Sequence, residues 1–119
     1  MAYVDGFVTP VPRDKLDDYK KMARECGAVW KEHGALEFRE SVADDVKPGK
    51  LTSFPQAVDL KENEVVLFSW IIYESRAKRD EVNDKVMKDP RLAAFMEPAN
   101  MPFDGKRLVY GGFEMIVDL

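Results

Sequence analysis

The sequence predicts an α+β fold in which two split β-α-β units build one four-stranded antiparallel sheet with both helices on a single face. Three observations predict it. The elements run β-α-β, long loop, β-α-β along the 119 residues. Glu64–Glu74, EVVLFSWIIYE, alternates apolar residues on both faces, with Val65, Leu67, Ile71 and Tyr73 on one and Val66, Phe68, Trp70 and Ile72 on the other. An antiparallel sheet in a small domain usually needs one apolar face, so a strand apolar on both calls for helices on one side and a second layer on the other. Two ferredoxin-like sheets packed face to face, a dimeric α+β barrel, supply that layer. The expectation is therefore a homodimer of single-domain subunits spanning residues 1–119.

Each element has a local reason. Tyr3–Thr9 is rich in β-branched and aromatic residues and reads as a strand ended by Pro10 and Pro12. A helix is expected from about Pro12 to His33, because Leu16, Tyr19, Met22, Ala23, Cys26, Val29 and Trp30 recur at three- and four-residue steps. Pro12 suits its first turn and Gly34 its C-terminal stop. Residues 35–42 alternate, with Leu36, Phe38 and Val42 on one face and Glu37, Arg39 and Ser41 on the other. The connection 44–63 is long and turns at Pro48-Gly49, and Leu51–Phe54 is expected to be a short edge strand or an arm. Ser75 caps a helix over 76–88, and Asp89-Pro90 ends it and opens another. The 97–106 loop carries Met101 and Phe103 as a lid or plug, and a last strand is expected over 107–119. Gly111-Gly112 inside it predicts a bulge or a close backbone approach by a ligand, a partner or that loop.

Composition narrows the function classes. Eighteen basic against twenty-two acidic residues give a net charge of -4, which opposes broad phosphate-backbone binding. The central strand VVLFSWIIY also lacks the basic glycine-aromatic pattern of RNA-recognition sheets, so nucleic-acid binding is disfavoured. No apolar run reaches membrane-spanning length, and one cysteine allows no intrachain disulfide; both fit a cytoplasmic protein. No phosphate loop, zinc quartet, dinucleotide fingerprint or nucleophile elbow is present, so no cofactor or metal is expected. Cys26 shares the stripe of Tyr19, Ala23 and Trp30 and is expected to be a buried small hydrophobe. His33, the single histidine, falls at a helix C-terminus and reads as a surface cap. Asp44-Asp45 reads as turn chemistry, lacking regular calcium-ligand spacing.

The segments YVDGFV, the DDV…G…TSFP loop, VVLFSWI and FDGKRLVYGGF resemble the YbaA-like family of small bacterial proteins, over Tyr3 to Phe113. That resemblance implies a homodimer of ferredoxin-like subunits and carries over no catalytic residue. Other branches of the dimeric barrel group share only the fold, which does not set function.

The candidate chemistry lies on strand faces. If Val4, Gly6 and Val8 face the helices, then Asp5 and Phe7 face the second layer, together with Glu37 and Arg39. The third strand would bring Ser69 or Trp70 between them, and Tyr110 and Glu114 would complete the wall. This chamber would suit a small polar or anionic ligand: Arg39, Ser69, Trp70 and Tyr110 contact it, Arg39 clamps a carboxylate, and Asp5 or Glu114 acts as base. The competing expectation pairs Arg39 with Asp5, Glu37 or Glu40 in a structural network, inside a packed barrel that serves only interaction. Whether a reaction is catalysed stays open at this point.

Overall fold

A computed structural model describes residues 1–119. Its four strands are β1 (Tyr3–Pro12), β2 (Glu37–Val42), β3 (Glu64–Tyr73) and β4 (Val109–Glu114), in the antiparallel order β2-β3-β1-β4. The helices are α1 (Leu16–His33), the single-turn α2 (Phe54–Ala57), α3 (Arg76–Met87) and α4 (Pro90–Phe95). This is the ferredoxin-like plait expected from the element order. No helix is long and apolar enough to cross a membrane.

The caps follow the sequence. Ser75 Oγ accepts from the Lys78 N–H at 3.1 Å, and Asp89 Oδ1 from the Arg91 N–H at 3.0 Å. Gly34 ends α1 at φ +120°, a conformation that side chains with a Cβ rarely adopt. His33 does more than cap. Its Nε2 lies 2.9 Å from Asp89 Oδ2, tying the end of α1 to the start of α4.

Four boundaries differ from expectation. β1 continues through Pro10 and Pro12, because beyond Val8 only β3 lies beside it and a missing N–H is tolerated at a one-sided strand. The helix starts at Leu16, after a 3-10 turn over Arg13–Lys15. Residues 51–54 form no strand; Leu51 is exposed, while Phe54 opens α2 and meets the Phe68 ring edge-on at 5.8 Å. β4 ends at Glu114, opposite the first residue of β1, and past the bond from Met115 N–H to Ala2 O no strand remains to pair with.

Register also reverses the expected faces of β1. The helices cover Tyr3, Asp5, Phe7, Thr9 and Val11, not Val4, Gly6 and Val8. On β3 the helix face is Val65, Leu67, Ser69, Ile71 and Tyr73. The core beneath the helices has two parts. One joins Cys26, Val29, Ile71, Tyr73, Val82, Val86 and Leu92, and the other joins Val11, Tyr19, Ala23, Val65 and Leu67. The opposite face stays open and apolar: Phe68 is 44 %, Val109 47 % and Phe113 61 % exposed.

Candidate functional site

The register divides the residues expected to share one chamber. Arg39 and Trp70 lie opposite each other on the open face, where Trp70 Nε1 donates to Glu37 Oε1 at 3.3 Å and Arg39 Nε sits 3.7 Å from the same oxygen. Asp5, Ser69, Tyr110 and Glu114 take the helix-face parity. Tyr110 is largely exposed and stacks on Phe7 at 6.3 Å, and Glu114 is exposed at the end of β4. The open face itself forms a shallow apolar surface from residues such as Val4, Val8, Phe68, Trp70 and Phe113, with no charged side chain lining it.

Two polar clusters lie between sheet and helices. The first surrounds Asp5. Arg79 of α3 places Nη1 3.4 Å from Asp5 Oδ1, donates from Nη2 to Tyr3 Oη at 3.2 Å, and stacks its guanidinium 4.9 Å from the Tyr3 ring centre. Asn83 Oδ1 accepts from Trp30 Nε1 at 3.1 Å and Tyr73 Oη at 3.3 Å. Burial raises the Asp5 carboxyl above its ordinary value, and Arg79 offsets only part of that. Gly112 explains itself here. A Cβ at that position would stand 2.5 Å from Tyr3 Oη, so the close approach is by a neighbouring side chain, and the ladder runs through without a bulge.

The second cluster surrounds Glu40, in the middle of β2. Glu40 shares parity with Phe38 and Val42 and therefore points toward α1. Strand β2 is an edge, so the residue stays open to a groove beside α1, but its carboxylate turns inward against Tyr19. Tyr19 Oη lies 3.0 Å from both carboxylate oxygens and donates to them. Burial raises the Glu40 carboxyl, partly offset by the neighbouring Ser69 and Tyr19 hydroxyls. Burial and the Glu40 charge together push the Tyr19 phenol up, so it remains a donor. Ser69 is the direct cross-strand neighbour of Glu40, and its Oγ is buried without a hydrogen-bond partner.

These groups form one end of a cavity of about 160 Å³ between α1 and the sheet. Met22, Cys26 and Trp30 of α1 line one side, and Phe38 and Ile71 of the sheet another. Phe95, Met101 and Phe103 close the outside, Phe103 meeting Tyr19 edge-on at 5.5 Å. The 97–106 segment is thus a wall of this cavity. Cys26 is inert there, its thiol pushed up to about 11 by burial first and the nearby Glu25 second. A groove of about 430 Å³ between α1 and the β2 edge adjoins the cavity, and Tyr19, Ala23, Phe38 and Glu40 line both. No three metal-ligating side chains cluster anywhere in the chain.

Sequence reasoning passed over Glu40 and Tyr19 as site residues. The signal was present: Glu40 is the one charged residue in the alternation Leu36, Phe38, Glu40, Val42.

Comparison with known proteins agrees with this fold and assigns it no activity. The chain shares the architecture of Rv0793 from Mycobacterium tuberculosis (TM-score 0.55, 12 % identity, 99 % of this chain and 98 % of that one). It also shares that of a dimeric ferredoxin-like protein from an uncultured marine organism (TM-score 0.58, 11 % identity, both chains covered in full). Relatives described as uncharacterized protein YbaA, from Escherichia coli K12 and from Shigella flexneri, are each 54 % identical over 118 residues, 99 % of both chains. With residues 2–105 matching the family described as "Protein of unknown function (DUF1428)", the chain belongs to that family.

Proposed function

We propose that the protein is a homodimeric small-molecule-binding protein whose site is the cavity between α1 and the sheet. The observation that carries this reading is the cavity's lopsided chemistry. Fifteen of its nineteen lining residues are hydrophobic, and its polar groups converge at one end, the pattern of a binding pocket that orients its ligand. Its volume matches that of an apolar cavity able to take a benzene ring. The ligand is small and uncharged, because the Glu40 carboxylate would repel an anion and Arg39 is held by Glu37 on the other face. Ser69 keeps the ligand-contact role expected from sequence, while Asp5 serves its arginine and Trp70 the subunit contact.

The homodimer rests on the open sheet face. An apolar sheet face exposing Phe68, Val109 and Phe113 is the kind of surface that marks a protein contact, and one fold neighbour is described as dimeric. Phe68→Glu would place a charge in that contact. Size-exclusion chromatography with light scattering should then show wild-type dimers and variant monomers; a wild-type monomer would refute the pairing.

Native mass spectrometry of gently purified protein tests the pocket. The expected result is a removable extra mass on each subunit, lost when Met22→Trp fills the cavity while the dimer persists. Bare protein in both preparations would favour a packed interaction scaffold.

A further inference from the structure

The acids at the sheet of this protein are not treated alike. Asp5 has Arg79 at 3.4 Å, and Glu64 is gripped by Arg107 at 2.6 and 2.9 Å. Glu40 makes no ion pair; its hydrogen bonds come from the Tyr19 hydroxyl, with the Ser69 hydroxyl close by. Glu40 is exposed along the β2 edge, yet its carboxylate turns in against Tyr19 at the end of the cavity, with no counter-ion to occupy it. Beside it Ser69, 4 % exposed, holds a hydroxyl with no partner. The two residues stand directly opposite in the β2–β3 ladder, on the same face, a placement that brings Cβ atoms to roughly 5 Å. A base with no counter-ion and a donor with no acceptor therefore share one end of an apolar cavity.

Resting on the pocket reading above, we infer that Glu40 is a general base for carbon acids, and that the site isomerises small, uncharged, enolisable ketones. The ketone oxygen accepts a hydrogen bond from Ser69 Oγ, and the adjacent α-carbon faces Glu40. The Glu40 carboxylate takes the α-proton. The C–H electron pair becomes the new C=C of a dienolate, and the negative charge moves to the oxygen held by Ser69. Protonated Glu40 then returns the proton to the γ-carbon, which shifts the double bond into conjugation and regenerates the carboxylate. Atoms and electrons balance within the substrate, so no oxidant, reductant or cofactor enters. Ser69 favours this step, since its buried hydroxyl is a fixed donor at the developing oxyanion inside apolar walls, while Glu40 reaches the substrate from the exposed β2 edge.

The probe is 3-cyclohexen-1-one, a single-ring β,γ-unsaturated ketone. Its conversion to 2-cyclohexen-1-one is followed by ultraviolet absorbance, and its binding by ligand-observed NMR. The expected result is conversion above the buffer rate by the intact protein. Glu40→Gln should still bind the probe and lose on the order of 100-fold in rate, and Ser69→Ala should lose a comparable factor. If Glu40→Gln does not fold, Glu40→Asp, which keeps the charge and retracts it, should show a smaller loss. Binding without acceleration, or a Glu40 variant as fast as the parent, overturns the isomerase assignment and leaves the pocket standing. Absence of binding removes the pocket reading together with it.

Discussion

The two polar clusters under the helices are built from similar parts and end in opposite states. Around Asp5, an arginine, two tyrosines, an asparagine and a tryptophan meet one another. Around Glu40 a tyrosine is the only donor made, a serine hydroxyl goes unused, and a cavity opens alongside. The first network pairs its acid with a cation and holds helix to sheet, with Arg79 Nε as its one buried atom lacking a hydrogen-bond partner. An unsatisfied network beside a cavity costs stability and leaves groups for a ligand to use. In the proposed reading, the α1 end of the sheet serves a ligand and the α3 end serves stability.

Breaking the closed cluster should have the largest effect. Arg79→Met strands Asp5 without its cation and should cost about 3–5 kcal/mol, read as a lower midpoint in urea unfolding; a loss under about 1 kcal/mol would mean that the pair behaves as a surface ion pair. Gly112→Ala comes next. Its methyl would collide with Tyr3 Oη and ring atoms, displacing Arg79 as well, for about 1–3 kcal/mol in the same assay.

A smaller effect is expected in the pH dependence. Asp5 and Glu40 are both raised by burial, so the folded chain holds their protons more tightly than the unfolded one. Stability should fall as pH rises from the ordinary carboxylate range, about 4, through their raised folded values, and recover on acidification. Asp5→Asn should flatten part of that slope; an unchanged slope would assign it elsewhere. Asp89 works in the other sense. Hydrogen bonds from Arg91 and His33 hold its carboxyl low, so its contribution is present above the ordinary range and lost as pH falls below it. The smallest change belongs to the open cluster: Glu40→Gln should leave the unfolding midpoint unchanged or slightly raised, and a large drop would make Glu40 structural, erasing the contrast.

The plait was legible because its signals are local. The caps at Ser75 and Asp89, the stripe on α1 and the double-sided β3 each depend on residues a few positions apart. The faces of β1 were not, because Asp5 turns toward the helices only with Arg79 to receive it, and Arg79 lies on an element with no sequence link to β1. The end of the last strand depended on the length of its partner, since β4 stops where β1 begins. The proposed site shares Ser69 with the residues named from the sequence. Ser69 was expected to meet a ligand, but Glu40 was weighed only as a partner for Arg39, whose side chain leaves by the other face. His33 illustrates the same limit, its acid being 56 residues away.

The prolines of β1 carry a consequence for the donors of the interior. β4 pairs with β1 only from Tyr3 to Val8, and Thr9, Pro10 and Val11 beyond it are buried. Arg13 N–H turns to Asn63 O, just before β3, so positions 10 and 12 alternate with it and would aim an N–H the other way, where no strand waits. Proline has no N–H to leave stranded there. The two residues expected to end the first strand instead let it run on through the interior without an orphaned donor.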